Sequence, residues 1–226
     1  MKTAVLIHGA GGGGWEYDPW KPVFERNGYR FIARDLIPAP GGLEKTAFAD
    51  YVAQVRAWVP SGASPVLIGA SMGGVLALKV AEAIPPSAVV LVNSVPPAGV
   101  PTARTPTDRY PPVVRWANAP FAETRDAMPD SDSATQQKAW KQWRDESGTV
   151  MNALNDRVAV RKPVGPVLVV IGAKDTDISP QTSRNVAAWA DADIHEYAGM
   201  SHVGPLLGKR AAEVAAAVVA WLAVRR

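Results

Sequence analysis

A serine set among small residues, an aspartate and a histidine each follow an apolar run of this sequence. Ser71 lies in GASMGG, Asp175 in GAKDTD and His202 in GMSH. A serine hydroxyl is a weak nucleophile at neutral pH unless a neighbouring base takes its proton. An acid that orients the imidazole and stabilises its protonated form completes such a relay. These three residue types therefore predict acyl transfer at a serine.

The surroundings of Ser71 decide how its motif is interpreted. Gly69, Ser71 and Gly73 match G-x-S-x-G, a pattern that also arises by chance. Here the apolar run PVLI precedes the motif and a helical pattern beginning at Met72 follows it. Strand, sharp turn and helix form a nucleophile elbow, which exposes a serine hydroxyl. The alternative, a glycine-rich turn whose serine caps the helix, is less consistent with this context.

The base and the acid are chosen by their positions in the chain. His202 follows the last apolar strand, in a loop that can fold over the serine, and is the predicted base. His8 is expected to pack or to hydrogen-bond the backbone of the first turn, and His195 lies inside a predicted strand. Asp175 directly follows its strand, so it is favoured as the acid over Asp177.

The elements that must position these residues alternate along the chain. Apolar runs predict strands at 3–7, 31–35, 65–69, 88–93, 166–172 and 193–197. Helical patterns occur at 48–59, 72–84, 133–145, 149–156, 181–190 and 211–223. This order predicts an α/β fold, a mostly parallel sheet of about six strands with helices on both faces. Ligands of such sheets bind beyond the carboxyl ends of the strands, where the three candidate catalytic residues fall.

The stretch 96–163 interrupts the alternation, because it is rich in proline and has no comparable apolar strand. We expect residues 1–95 and 164–226 to form one core domain and residues 96–163 to form a small helical cap, or lid. Trp116, Trp140 and Trp143 give this cap apolar surface. They are predicted to bind an apolar acyl or alcohol group, although packing of the cap on the sheet explains them equally well.

The glycine-rich stretch HGAGGGGW at 8–15 admits a second interpretation. Gly9, Gly11 and Gly14 match the dinucleotide-binding pattern G-x-G-x-x-G, with Asp35 placed as a ribose-binding acid would be. A dinucleotide site needs a helix that begins near the third glycine. Pro19 instead indicates a helix that begins several residues later. Nucleotide binding is therefore not expected.

HGAGGGGW, GASMGG, GAKD and GMSH stand in the order found in α/β-hydrolases, and the chain resembles this family over nearly its whole length. The resemblance implies an oxyanion hole made by the N–H groups of Ala10 and Met72, with Gly11 as the alternative to Ala10. It also implies that the backbone at Gly9 and Gly11 comes close to the substrate. More loosely, HGAGGGGWEYDPW, NSVPP and HVGPLLGK resemble the plant methylesterase and hydroxynitrile-lyase branch.

The function implied by this resemblance is that of a serine esterase, which cleaves carboxylic esters through an acyl-enzyme. Hydroxynitrile lyase, lactonase and perhydrolase activities are alternatives on the same fold. Lyases of the similar branch have a lysine beside the catalytic histidine and a threonine after the first-strand histidine. This chain has Val203 and Gly9 there, which favours hydrolysis. A non-catalytic binding protein on the same scaffold is the remaining alternative.

Composition bounds the class of protein and its partners. Hydrophobic residues make up 47% and charged residues 20% of the 226 residues, as in an ordinary globular domain. A net charge of +3 with scattered basic residues predicts no binding to nucleic acid or membrane. The N-terminal MKTAVLIHG does not indicate a signal peptide, and the lack of cysteine excludes disulfides and thiolate chemistry. We expect a cytoplasmic enzyme that takes a small-molecule ester and needs neither metal nor cofactor.

Overall fold

The computed structural model of the protein describes residues 2–103 and 108–225, so that part of the predicted cap, 104–107, lies outside the described residues. Its strands are β1 Lys2–Ile7, β2 Tyr29–Ala33, β3 Val66–Ala70, β4 Ala88–Val92, β5 Val113–Val114, β6 Glu146–Ser147, β7 Val167–Gly172 and β8 Asp193–Tyr197. Its α-helices are α1 Lys21–Arg26, α2 Phe48–Trp58, α3 Met72–Ala81, α4 Phe121–Ala127, α5 Ser133–Trp140, α6 Gly148–Asn155, α7 Pro180–Ala190, α8 Gly204–Leu207 and α9 Ala211–Val224. Short 3-10 helices cover Gly14–Tyr17 and Leu43–Lys45.

A parallel sheet of six strands, ordered β2-β1-β3-β4-β7-β8, forms the centre of the molecule. Every residue of β3, β4 and β7 is buried, which explains why these strands read as continuous apolar runs. The edge strand β8 is largely exposed or half-buried and is correspondingly polar. The predicted α/β fold with about six strands is confirmed.

Helices cover both faces of this sheet. On one face, Leu6 of β1 belongs to a cluster with Phe24 of α1 and Val214 of α9. On the other face, its neighbour Ile7 packs in a cluster with Val55 of α2 and Val75 of α3. Alternate residues of one strand thus serve two apolar cores, as a doubly covered parallel sheet requires. Within the described part of the chain, no helix combines the length and apolar character needed to cross a membrane.

The covering segment, residues 96–163, contains α4, α5, α6 and a short antiparallel ladder between β5 and β6. The pattern at 133–145 predicts a longer helix than α5, which ends at Trp140. Turn hydrogen bonds continue as far as Trp143 N–H, and Arg144 N–H then donates to Gly11 O, 2.8 Å away, in the glycine-rich loop of the core. The sequence did not predict α4 or the two-residue ladder. The boundaries of a cap domain stay a prediction.

Candidate active site

Ser71 sits at a strained turn between β3 and α3. Its backbone angles are φ 52 and ψ −119, in a region that residues with a side chain rarely adopt. The neighbouring chain must come very close to permit this turn. A Cβ added at Gly69 would lie 2.1 Å from Gly73 O, and one added at Gly73 would lie 2.1 Å from Ile7 O. Neighbouring backbone atoms therefore leave no room for a side chain at either glycine of the motif.

Backbone hydrogen bonds fix this turn to the end of the sheet. Ser71 N–H donates to Val92 O of β4 at 3.0 Å, and Ser71 O accepts from Val95 N–H at 3.1 Å. The turn is thus tied on both sides to β4 and the loop that follows it. The side chain of Ser71 is partly buried and borders a cavity at the carboxyl ends of the strands.

His202 and Asp175 form a hydrogen-bonded pair. His202 Nδ1–H donates to Asp175 Oδ2 at 2.8 Å, and the side chains are 15% and 0% exposed. The other oxygen, Asp175 Oδ1, accepts from the N–H groups of Asp177 and Ile178 at 2.8 and 2.9 Å. The carboxylate that holds the imidazole is therefore that of Asp175, whereas Asp177 is exposed and supplies a backbone donor.

The environment of His202 favours its protonated form. Burial by itself lowers the pKa of the imidazole, but the hydrogen bond and charge of Asp175 and the charge of Asp177 outweigh burial and raise it, and Glu16 adds to this only when it is ionised. The bond from Nδ1–H to Asp175 also fixes the tautomer of the neutral ring, which leaves Nε2 able to accept a proton. His202 can therefore act as a base whose conjugate acid is stabilised.

Asn93 positions the loop that carries His202. Its Nδ2 donates to His202 O at 2.7 Å, and its Oδ1 accepts from Gly172 N–H at 2.8 Å. The backbone of Asn93 has a left-handed φ of 43. On the outer side, Ser201 Oγ donates to Asp130 Oδ1 of the covering segment at 2.6 Å. The sequence placed Asn93 at a strand end but gave it no role, and it gave no signal for Asp130.

The glycine-rich loop directs its N–H groups to different partners. Gly11 N–H donates to Glu146 Oε2 at 3.1 Å, and Gly14 N–H donates to Asp35 Oδ1 at 2.8 Å. Ala10 N–H has no acceptor among the described residues. The N–H group of Gly11, the alternative oxyanion donor, is therefore already hydrogen-bonded to Glu146. Asp35 accepts from the loop backbone at Gly14, whereas in a dinucleotide site this acid would bind a ribose.

The consecutive glycines make room for side chains that press on the loop. A Cβ at Gly12 would lie 1.4 Å from Glu16 Oε1. One at Gly11, where φ is +68, would lie 2.5 Å from the ring of Trp116. The glycines therefore let Glu16 and the indole of Trp116 approach the loop backbone.

His8 is held in its neutral form beneath the loop. Burial is the main reason that its pKa is lowered to about 4. Its Nδ1–H donates to Gly9 O at 2.7 Å and its Nε2 accepts from Leu36 N–H at 2.9 Å. Both ring nitrogens are thus occupied: Nδ1 within the loop itself, and Nε2 in joining the loop to the segment that follows β2. These bonds agree with the structural role expected for this residue.

A cavity of about 890 Å³ lies over these residues. Its walls include the following predicted site residues: Gly9, Ala10, Gly11, Ser71, Met72, Trp116, Trp143 and His202. Trp140 is not among them, because its indole N–H donates to Ala119 O at 2.7 Å and its ring packs edge-on against Phe121. Asp175 lies behind His202, away from the lining.

The cavity brings Ser71 and His202 to one space without a formed hydrogen bond. Among the described residues, the hydroxyl of Ser71 donates to no acceptor. Catalytic hydrogen bonds are often long before substrate binds, so this arrangement is compatible with proton transfer. In residues 2–103 and 108–225, no group of three or more His, Asp or Glu side chains is arranged to hold a metal ion.

Comparison with known proteins gives a consistent result. A model described as "Alpha/beta hydrolase family" matches residues 4–217. Norfluorocurarine synthase 1 from Strychnos is 31% identical over 109 residues, which are 44% of this chain and only 41% of that protein. The structure of methylketone synthase I of tomato, solved with 2-tridecanone, aligns with a TM-score of 0.78 at 16% identity. The alignment covers 100% of this chain and 99% of that one. The methylesterase MES16 from Arabidopsis has a TM-score of 0.75 at 18% identity, with 99% and 98% covered.

Proposed function

Because the chain belongs to the alpha/beta hydrolase family, we propose that it hydrolyses carboxylic esters through an acyl-enzyme formed on Ser71. The observation that carries this proposal is the 2.8 Å hydrogen bond between Asp175 and His202 beside a cavity that also contains Ser71. A strained serine, a base with a raised pKa and an acid that orients it are the components of nucleophilic catalysis.

In the acylation step, Ser71 Oγ attacks the ester carbonyl carbon while His202 Nε2 takes the hydroxyl proton. Asp175 holds Nδ1–H and stabilises the imidazolium that forms. The oxyanion accepts hydrogen bonds from the N–H groups of Ala10 and Met72. Neither group has an acceptor among the described residues. A donor of this kind is worth about 3 to 4 kcal/mol in the transition state.

The second half of the reaction returns the proton. When the tetrahedral intermediate collapses, the His202 imidazolium protonates the departing alkoxide and the alcohol leaves. Water then enters, gives a proton to His202 and attacks the acyl carbon. The second tetrahedral intermediate then breaks its bond to Ser71 Oγ, which takes the proton back from His202 as the carboxylic acid leaves. The step requires no cofactor.

The cavity lining supports a substrate with an apolar acyl or alcohol group. Trp116, Trp143, Met151 and Leu154 contribute apolar surface near the serine. The solved methylesterase from Arabidopsis has the same fold. Val203, where lyases of the similar branch have a lysine, leaves the imidazole without a neighbouring cation at that position, which favours hydrolysis over cyanohydrin cleavage.

The proposal is tested with p-nitrophenyl esters of graded acyl length, assayed beside a lactone and a cyanohydrin. We expect the esters to be cleaved and kcat to fall by about 10⁴-fold or more in Ser71→Ala. Ser183→Ala is the matched control, because Ser183 Oγ is buried, has no hydrogen-bond partner among the described residues and lies outside the cavity. A Ser71→Ala enzyme that keeps most of its activity would refute the proposal.

A further inference from the structure

Glu16 is a buried carboxyl group in the wall of the catalytic cavity. The residue is only 3% exposed, yet it lines the same space as Ser71 and His202. Its Oε1 accepts from Gly13 N–H at 3.1 Å, and the missing side chain of Gly12 provides the room it occupies. The acyl-transfer steps above use Ser71, His202 and Asp175 but give Glu16 no part.

Within the described part of the chain, no hydrogen bond of ordinary geometry holds the second oxygen of this carboxyl group, although the backbone at Gly9 lies close enough to lower its pKa. Among the described residues, two fully buried side-chain atoms lack a hydrogen-bond partner, Trp15 Nε1 and Ser183 Oγ. Glu16 Oε2 is not one of these fully buried atoms. Since Glu16 lines the cavity, Oε2 is accessible from the space that a substrate would fill.

The surroundings of Glu16 favour its uncharged form. Burial raises the pKa of this carboxyl to about 8, although the backbone at Gly13 and Gly9 and the charges of His202 and Arg144 lower it. The other titratable neighbour, Tyr17, donates its hydroxyl to Ile7 O at 3.0 Å, and burial raises its pKa well above the usual value. This raised pKa favours the protonated, uncharged carboxyl at neutral pH.

We propose that Glu16 is a specificity-determining residue that contacts the substrate through Oε2–H as an uncharged hydrogen-bond donor. The substrate class that fits is an ester with a second acceptor oxygen, such as an ether or ketone oxygen, near the scissile carbonyl. This inference rests on the proposed esterase function, since it concerns the same cavity.

Ionisation of Glu16 acts against catalysis in two ways. First, the hydrogen-bond donor of Glu16 is lost. Second, a negative charge appears beside the backbone of Gly9. Gly9 is itself close to the nucleophile, since a Cβ added there would lie 3.8 Å from Ser71 Oγ. The tetrahedral intermediate develops its own negative charge beside Ser71, so the two charges repel each other. Activity is therefore expected to fall as the pH rises through the pKa of Glu16.

The test compares Glu16→Gln and Glu16→Met with the wild type between pH 6 and 10. Wild-type kcat/KM should fall about tenfold per pH unit above pH 8 or so, because a single group loses its proton. Glu16→Gln keeps a donor and cannot ionise, so it should remain active with no such alkaline limb. Glu123→Gln, which alters an exposed carboxylate of the same cavity, should keep the limb.

The hydrogen bond itself is tested with two esters of equal shape, p-nitrophenyl methoxyacetate and p-nitrophenyl butyrate. Glu16→Met should lower kcat/KM for the methoxyacetate relative to the butyrate by about 5-fold compared with wild type, the effect of one lost hydrogen bond. Glu16→Gln should keep the wild-type ratio. An alkaline limb shared by Glu16→Gln and wild type, or a ratio unchanged in Glu16→Met, would overturn the inference.

Failure of the esterase proposal is recognised separately. If wild type cleaves no ester, the same pH series is measured for the rate at which a fluorophosphonate labels Ser71, since phosphonylation also builds negative charge there. An alkaline limb in wild type that is absent from Glu16→Gln supports the role of Glu16 even then. Identical profiles, or no labelling at any pH, overturn it.

Discussion

The side-chain amide of Asn93 lies 2.7 Å from the carbonyl oxygen of His202, so that the residue after β4 holds the loop of the proposed base. The same side chain accepts from Gly172 N–H, at the end of β7. One amide thus joins two neighbouring strand ends to the loop that follows β8. The pairing of His202 with Asp175 depends on this connection as well as on its own hydrogen bond.

Replacing Asn93 by alanine should therefore affect catalysis and stability together. We expect kcat to fall about 10- to 100-fold, since small misplacement of a catalytic group is costly. The free energy of unfolding should drop by about 1 to 3 kcal/mol, because Gly172 N–H is left unpaired in a buried position. Steady-state kinetics and urea unfolding measure the two effects.

Asn118→Ala is the control for backbone strain in that experiment. Asn118 also has a left-handed φ, 64 compared with 43 for Asn93. Unlike Asn93, Asn118 is exposed. Alanine at this position should lower stability by no more than about 1 kcal/mol and leave kcat unchanged. If both variants lose activity equally, the effect of Asn93 does not come from its hydrogen bonds.

The two aspartates after β7 should differ sharply when each is changed to asparagine. Asp175→Asn removes the acceptor that fixes the His202 tautomer, so kcat should fall by about 10⁴-fold. Asp177→Asn changes an exposed side chain that makes no hydrogen bond to the ring, and kcat should change by a few-fold at most. Comparable losses in the two variants would contradict the assignment of Asp175.

The acid limb of the pH profile should report the raised pKa of His202. The base must be deprotonated, so kcat/KM falls as the pH drops through this pKa, and the midpoint should lie above the ordinary value of 6.5. Asp177→Asn removes one of the charges that raise the pKa and should move the midpoint towards lower pH. A wild-type midpoint well below 6.5 would show that burial dominates at this ring.

Packing at the turn of Ser71 predicts a strong contrast between two glycine-to-alanine changes. At Gly73 the new methyl group would lie 2.1 Å from Ile7 O, which is backbone of β1 and cannot move aside cheaply. We expect a loss of about 3 kcal/mol or more in the free energy of unfolding. At Gly199 no atom of the described residues lies within 4 Å of an added Cβ, so the free energy of unfolding should change by no more than about 0.5 kcal/mol. Urea unfolding of both proteins decides this.

Much of the fold could be predicted because burial leaves a periodic trace in the sequence. Strands covered on both faces read as apolar runs, and the six predicted strands correspond to the six strands of the sheet. The motifs also predicted the family, which the match over residues 4–217 confirms. Ser71, Asp175 and His202 could be proposed together as a site because the strand ends of a parallel sheet meet at one edge.

Contacts made by the covering segment could not be predicted in this way. Glu146 bonds the N–H of Gly11 across 135 residues, and Ser201 reaches Asp130 across 71. Such pairs depend on how an irregular segment returns to the sheet, and no local pattern encodes that path. Glu16 was missed for a different reason, because its burial depends on Gly12 leaving space for a carboxyl group.

The central claim, that Ser71 is a nucleophile activated by His202, is tested most directly by intact-protein mass spectrometry after incubation with a fluorophosphonate. The account predicts one adduct on the wild-type chain, located by peptide mapping at Ser71, retained in Ser183→Ala and absent from Ser71→Ala. Labelling of His202→Ala should be slower by about 10³-fold or more. A wild-type chain that stays unmodified, or an adduct on another residue, would contradict it.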